Sequence, residues 1–159
     1  MVRTEISLFL KNQPGELGKL AQLFFEAGIN IDAMTIQDAS EYVRQLFNAR
    51  GRSIRRIASP ANYNSMQKDS VEYALIRVLV DKTDQAVDLL GVNEYEFDVS
   101  PVIAVELANK PGMLAQLAAS FGSEGINIRY VYGSGLPNSN NALYVFCPED
   151  MDLAVKILK

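Results

Sequence analysis

The chain has 159 residues, of which 48% are hydrophobic and 21% charged, and its formal net charge is −4. These values are typical of a globular protein and exclude the disordered and fibrous classes. The acidic balance argues against a nucleic-acid footprint over the whole chain. No apolar stretch approaches the roughly 18 residues of a membrane span, and the start does not resemble a signal peptide. With a single cysteine, we expect no internal disulfide and a cytoplasmic location.

Residue types also limit the chemistry that the chain can perform. It contains no histidine, so the commonest general base and the commonest transition-metal ligand are missing. Cys147 lies in an apolar segment, where a core role is expected. Glu149 and Asp150 precede a helical pattern, where acidic residues act as caps. We therefore expect no catalytic residue, no metal site and no cofactor.

The first elements follow from hydrophobic periodicity. Residues Thr4–Lys11 alternate between apolar and polar side chains, which predicts a half-buried strand. Pro14 and Gly15 end this strand and begin a helix. The apolar residues of the helix recur with the spacing of one helical face, at Leu17, Leu20, Ala21 and Phe24. Gly28 is expected to end the helix in a left-handed conformation, and Ile29–Gln37 reads as a second strand.

Three further elements complete the first half of the chain. Tyr73–Val80 is predicted as a third strand, Thr83–Leu90 as a second helix capped by Asp81 or Thr83, and Tyr95–Val99 as a fourth strand. The order βαββαβ is the ferredoxin-like arrangement. The predicted class is therefore α+β, with an antiparallel sheet that carries its helices on one face.

An internal repeat is the strongest signal in the sequence. Residues 10–31 and 107–128 are related by an offset of 97 and are identical at 12 of 22 positions. The later segments match at an offset of 68, as in Ala74-Leu75 and Ala142-Leu143. Copy one therefore carries about 29 additional residues. The chain thus divides into two modules, 1–100 and 101–159.

The second module repeats the first without its last strand. Its predicted strands are 102–107, 126–133 and 142–147, and its predicted helices are 113–123 and 151–158. We expect either an unpaired sheet edge or an edge completed by another segment or subunit.

The additional residues of copy one, at about 39–70, form a basic insertion. Six basic and two acidic residues give it a net charge of +4. It could bind an anionic ligand or an acidic partner. Alternatively, it is a solvated loop, or an arm that docks on the acidic surface of the same chain.

A longer motif occurs once in each copy. It runs from Asn-x-Pro-Gly-x-Leu, through a helix, to Gly-Ile-Asn-Ile, at Asn12–Ile31 and Asn109–Ile128. In this motif each copy resembles the ACT domain, and the chain resembles a stand-alone tandem ACT protein. The resemblance implies a non-catalytic, allosteric regulator that binds a small molecule, an amino acid, between modules and modulates an enzyme of amino-acid metabolism. The alternative is a protein–protein interaction module without a small-molecule ligand.

The resemblance also implies where a ligand binds. The contacts map to the strand–helix loop and to the start of strand two in each copy: Asn12, Gln13, Pro14, Gly15, Glu16 and Leu17; Asn30, Ile31 and Asp32; Asn109, Lys110, Pro111, Gly112, Met113 and Leu114; Asn127, Ile128 and Arg129.

The chemistry of these segments agrees with an amino-acid ligand. A helix N-terminus suits a carboxylate, and Asn12 and Asp32 suit an α-ammonium group. Pro-Gly also serves as a plain strand-to-helix turn, and the asparagines can instead bond local backbone.

The sheet face without helices also needs cover. Phe9 and Ile36 are predicted to project from that face, opposite the core positions. We therefore expect the two modules to pack together and two chains to form a homodimer.

Overall fold

The computed structural model describes residues 1–38, 73–136 and 138–158, so the predicted basic insertion lies outside the described residues. The elements in chain order are β1 (Val2–Lys11), α1 (Glu16–Glu26), β2 (Ile31–Asp38), β3 (Tyr73–Val80), α2 (Thr83–Val92), β4 (Phe97–Ala108), α3 (Met113–Ser123), β5 (Ile128–Gly135), β6 (Asn141–Pro148) and α4 (Met151–Ile157). We refer to β1 through α2 as copy one and to β4 through α4 as copy two.

The six strands form one sheet in the order β2-β3-β1-β4-β6-β5, and every neighbouring pair is antiparallel. Alternate residues of each strand face the helices, as the period of two requires. The helices of copy one cover Ile6, Leu8 and Leu10, and those of copy two cover Ile103 and Phe146. The predicted α+β, ferredoxin-like class is therefore confirmed. Within the described ranges, no helix is long and apolar enough to cross a membrane.

Strand β4 belongs to both copies. The prediction of two separate strands, Tyr95–Val99 and Val102–Leu107, is wrong because Pro101 does not interrupt the ladder. The amide of Ala104 donates to the Met1 carbonyl at 2.9 Å, so even-numbered residues of β4 bond towards β1. Pro101 faces the β6 side, and the β4–β6 register begins only at Ile103. The missing N–H of proline therefore costs no ladder bond.

Pairing between β1 and β4 relates the two copies by a pseudo-twofold axis. Thr4 lies opposite Pro101, its own equivalent at the offset of 97. On either side of this pair, Val2 lies opposite Ile103 and Ile6 opposite Val99, so equivalent positions are exchanged. The position of the missing last strand of copy two is occupied by the start of β1. Of the two expected solutions for that edge, completion by another segment is the one observed.

A β-bulge occurs at the same place in both copies. The register shifts between Ile31 and Ala33 in β2, and between Ile128 and Tyr130 in β5. Because the additional residue reverses the alternation of side chains, Ala33 and Tyr130 turn away from the helices. Ile36 lies opposite the core residue Ile76. The prediction that Ile36 projects from the face without helices is therefore wrong.

The face without helices is concave, and its two edges approach each other. Strands β2 and β5 stand at opposite ends of the sheet order, yet they are in contact without a hydrogen-bonded ladder. The residues that pack inside this concave face are mostly small: Ala33, Leu79, Val102, Ala104, Val145 and Cys147. The second face is thus covered largely by the curvature of the sheet itself.

A substitution at Gly133 in β5 tests how closely β5 and β6 pack. A Cβ atom there would lie 2.8 Å from a ring carbon of Tyr144 in β6. We predict that Gly133→Ala lowers the free energy of unfolding by about 1–3 kcal/mol, measured by urea denaturation, because the site is overpacked. The control Gly122→Ala in α3 meets no atom within 4 Å and should stabilise by about 0.5–1 kcal/mol. Equal stabilities of the two variants would contradict this packing.

Candidate functional site

The loop after strand one has the same geometry in both copies. Helices α1 and α3 begin after Gly15 and Gly112, whose φ angles are 92° and 93°, and no side chain caps either helix. Glycine suits this left-handed conformation because a Cβ would be strained there. The first intrahelical bond of α1 runs from the Lys19 amide to the Gly15 carbonyl. The Glu16 amide donates to the Gln13 carbonyl at 3.4 Å. The amides of Leu17 and Gly18 precede the first intrahelical bond, and their partial positive charge favours an anion at the loop.

A cavity of about 570 Å³ opens beside this loop in copy one. Lys19 forms an ion pair with Glu16 at 2.6 Å, which raises the pKa of the lysine. The remaining walls combine aromatic and charged side chains. The lining residues are Phe9, Leu10, Lys11, Gln13, Glu16, Lys19, Tyr73, Glu94, Tyr95 and Glu96. Gln13 and Glu16 are among the predicted ligand residues.

Copy two has a smaller cavity of about 320 Å³, which is lined mainly by the β5–β6 hairpin and by none of the ligand residues predicted for that copy. Glu106 and Asn141 line it where copy one has Phe9 and Tyr73, by the offsets of 97 and 68. An acid and an amide thus replace two aromatic rings. The two cavities therefore offer different chemistry.

The equivalent residues Asn12 and Asn109 have different surroundings. The side-chain amide of Asn109 donates to the carbonyls of Leu136 and Ser139, at 3.0 and 3.2 Å, and so holds the β5–β6 hairpin. Asn12 is exposed and bonds to no other residue in the described part of the chain. Asn12 therefore has its hydrogen-bonding groups available, whereas Asn109 has a structural role.

The start of strand two lies far from the strand–helix loop of the same copy. Ile31 lies opposite Val80, and Lys11 lies opposite Tyr73, at the two ends of β3. Seven residues of strand separate these ends, which is about 23 Å. In copy two, Ile128 likewise pairs at the end of β6 opposite to the loop. The two predicted segments of one copy therefore do not meet within that copy, because β1 and β2 run in parallel and the loop follows only the end of β1.

Asp32 is already engaged within the chain. Its carboxylate accepts a hydrogen bond from the Arg3 guanidinium at 2.7 Å and another from the Asn30 side chain at 2.9 Å. Arg3 also donates to the Val80 carbonyl at 2.8 Å. Asp81, one of the two residues predicted to cap α2, instead accepts a hydrogen bond from the backbone amide of Asn30 at 2.8 Å, and α2 has no side-chain cap. These residues stabilise the corner between α1 and β2.

The concave face carries a polar cluster that the strand patterns do not predict. The Glu5 side chain is fully buried and accepts hydrogen bonds from the Tyr130 hydroxyl at 2.5 Å and the Tyr132 hydroxyl at 2.7 Å. Arg77 lies 3.8 Å from the Glu5 carboxylate, and its guanidinium stacks 4.1 Å above the Tyr130 ring. We call Glu5, Arg77, Tyr130 and Tyr132 the Glu5 cluster. Strand alternation places Glu5 on the face without helices, where a charged side chain is not expected to be fully buried, and the curvature of the sheet accounts for its burial.

The two tyrosines of the Glu5 cluster make the stability of the protein depend on pH in the alkaline range. Burial raises the pKa of both phenols, and the hydrogen bonds to Glu5 raise it further. The folded protein thus retains protons that the unfolded chain releases above about pH 10. This stabilising contribution is complete below that pH and is lost as the pH rises.

We predict that the free energy of unfolding of the native chain falls more steeply above pH 10 than that of the Tyr130→Phe/Tyr132→Phe variant. Urea denaturation between pH 8 and pH 11 measures both slopes. Parallel pH profiles would contradict the assignment.

Comparison with known proteins identifies the family of the fold. A family model described as an ACT domain pair matches residues 49–158. The chain matches no curated protein sequence.

Several solved structures share the fold. A protein from Bacteroides thetaiotaomicron is 25% identical, with a TM-score of 0.72, and the alignment covers 99% of this chain and 87% of that protein. The ligand-free regulatory subunit of aspartate kinase from Thermus thermophilus is 18% identical, with a TM-score of 0.56 and coverage of 99% and 93%. The corresponding subunit from Thermus flavus is 16% identical, with a TM-score of 0.53 and the same coverage. These two subunits establish a similarity of fold alone.

Proposed function

Because the chain belongs to the family of ACT domain pairs, we propose that it is a non-catalytic regulatory protein that binds a free amino acid and modulates a partner enzyme of amino-acid metabolism. The observation that carries this proposal is the cavity of about 570 Å³ beside the uncapped N-terminus of α1. Solved structures of the same fold include regulatory subunits of an amino-acid-metabolism enzyme, which supports the regulatory role.

The cavity in copy one offers a partner for each part of an amino acid. The α-carboxylate binds the first-turn amides of α1, with Lys11 adding positive charge. Anions at such helix termini gain about 0.3–1 kcal/mol from the helix dipole. Glu94, which lines the cavity, accepts a hydrogen bond from the α-ammonium group, and Asn12, which stands between the lining residues Lys11 and Gln13 without lining the cavity itself, supplies a second acceptor. The aromatic rings of Phe9 and Tyr73 provide apolar surface for the ligand side chain.

Regulation requires more than binding. A ligand changes a partner's activity only if it binds one arrangement of the protein more tightly than another. We propose that two chains form a homodimer and that the ligand favours one arrangement of it. Since the two cavities of a chain differ in lining, we expect one amino acid to bind preferentially in copy one.

A thermal-shift screen of the twenty amino acids tests the proposal. At a ligand concentration of 100 times Kd, we expect a stabilisation of about 2.7 kcal/mol. Asn12→Ala should remove most of this shift and leave the Tm of the unliganded protein unchanged, since the Asn12 side chain has no partner in the described residues. A negative screen against all twenty would contradict the proposal and favour the interaction module without a ligand.

Asn109→Ala provides the matched control. It removes the two hydrogen bonds that hold the β5–β6 hairpin, so the unliganded protein should lose about 1–3 kcal/mol of stability. The ligand-induced shift in copy one should remain. If Asn109→Ala abolished the shift and Asn12→Ala did not, the ligand would bind in copy two.

A further inference from the structure

The Glu5 cluster joins strands that are not neighbours in the sheet. Glu5 lies on β1, whereas Tyr130 and Tyr132 lie on β5, and strands β4 and β6 stand between them. In a flat sheet, three strand spacings of about 4.8 Å would separate β1 from β5 by roughly 14 Å. The two hydroxyls therefore reach Glu5 only because the sheet is strongly curved.

Apolar contacts within the concave face also contribute to this curvature, because Leu79, Val102 and Val145 are fully buried there. Two of its six core residues are alanines, and β2 and β5 form no ladder with each other. By contrast, the Glu5 carboxylate accepts hydrogen bonds from the hydroxyls of Tyr130, Tyr132 and, at 3.4 Å, Ser7, and it lies near the Arg77 guanidinium in a site closed to solvent. Hydrogen bonds to a charged group are stronger than neutral ones, and losing one partner leaves a buried acceptor unsatisfied.

The cluster occurs on one side of the pseudo-twofold axis only. The equivalents of Glu5 and Arg77 are Val102 and Val145, and those of Tyr130 and Tyr132 are Ala33 and Thr35. Symmetry of the repeat therefore does not require the cluster. It is a specific connection from copy two to copy one.

We propose that the Glu5 cluster is a conformational lock that keeps the edge strand of copy two against copy one and so sets the curvature of the whole sheet. The lock lies between the two cavities. Tyr132 is two residues from Ser134, which lines the cavity of copy two, and Arg77 shares β3 with Tyr73, which lines that of copy one. Opening the lock would move both cavity walls, whether or not a ligand is bound.

The distance between the two edge strands measures the closed state directly. Ile36 on β2 and Val131 on β5 are half exposed and accept spin labels as Ile36→Cys and Val131→Cys, in a full-length background that retains Cys147, which is buried in the concave face. We expect one narrow distance distribution for this background. Tyr130→Phe/Tyr132→Phe should broaden it and lengthen its mean by about one strand spacing, roughly 5 Å. Tyr144→Phe, on the neighbouring strand β6 but facing the helices, should leave it unchanged.

A second variant tests the lock in case the double tyrosine variant does not fold. Glu5→Gln keeps the shape of the side chain but removes its charge, and it should lengthen the same distance. If the distance in these variants equals that of the background, or if Tyr144→Phe lengthens it as much, the proposed lock is wrong. Because the measurement needs no ligand, its failure is distinct from a failure of the proposed amino-acid binding.

Discussion

The antiparallel pairing of β1 with β4 is the constraint on which the rest of the structure depends. It places Thr4 opposite its own equivalent, Pro101, and so makes the centre of the sheet a pseudo-twofold axis. Copy two has no last strand of its own and uses the start of β1 in its place, whereas β4 joins the last strand of copy one to the first strand of copy two. The two copies therefore share one continuous sheet, which explains how two short repeats form a single fold with a buried core.

The same pairing determines where the candidate ligand sites lie. Because β1 and β4 run in opposite directions, the loops that follow them emerge at opposite ends of the sheet. Each loop begins a helix after a left-handed glycine, Gly15 or Gly112. The loop of copy one lines a cavity, whereas the cavity of copy two is lined mainly by the β5–β6 hairpin. The twofold relation is exact only for the backbone pairing. The side chains differ between the copies. Asn109 donates hydrogen bonds to the β5–β6 hairpin, whereas Asn12 bonds to no other described residue.

Local patterns predicted much of this fold. The repeat, the periodicity of β3 and α3, and the glycine after each first strand all follow from side-chain spacing and from the steric freedom of glycine. The ACT resemblance rested on the same motif, and the family model supports it. The predicted loop residues Gln13 and Glu16 do line a cavity.

What could not be predicted depends on contacts that are distant in sequence. Pro101 indicates a strand break unless it is known which neighbouring strand its backbone nitrogen faces. A bulge at Asp32 or Arg129 reverses the faces of a strand without a signal in its hydrophobic pattern. The burial of Glu5 requires strand β5, more than 120 residues later in the chain, to curve back over β1. The separation of Asp32 from the loop between β1 and α1 likewise follows from the order of the strands in the sheet, which the spacing of residues in the sequence does not reveal.

The most direct test of this account is to map amide chemical-shift changes by nuclear magnetic resonance as each amino acid is added to the full chain. The account predicts that one amino acid shifts the amides of Gln13 to Leu17 and of Glu94 to Glu96, around the cavity of copy one. Shifts confined to Asn30 to Asp32, or no shifts with any of the twenty, would contradict it.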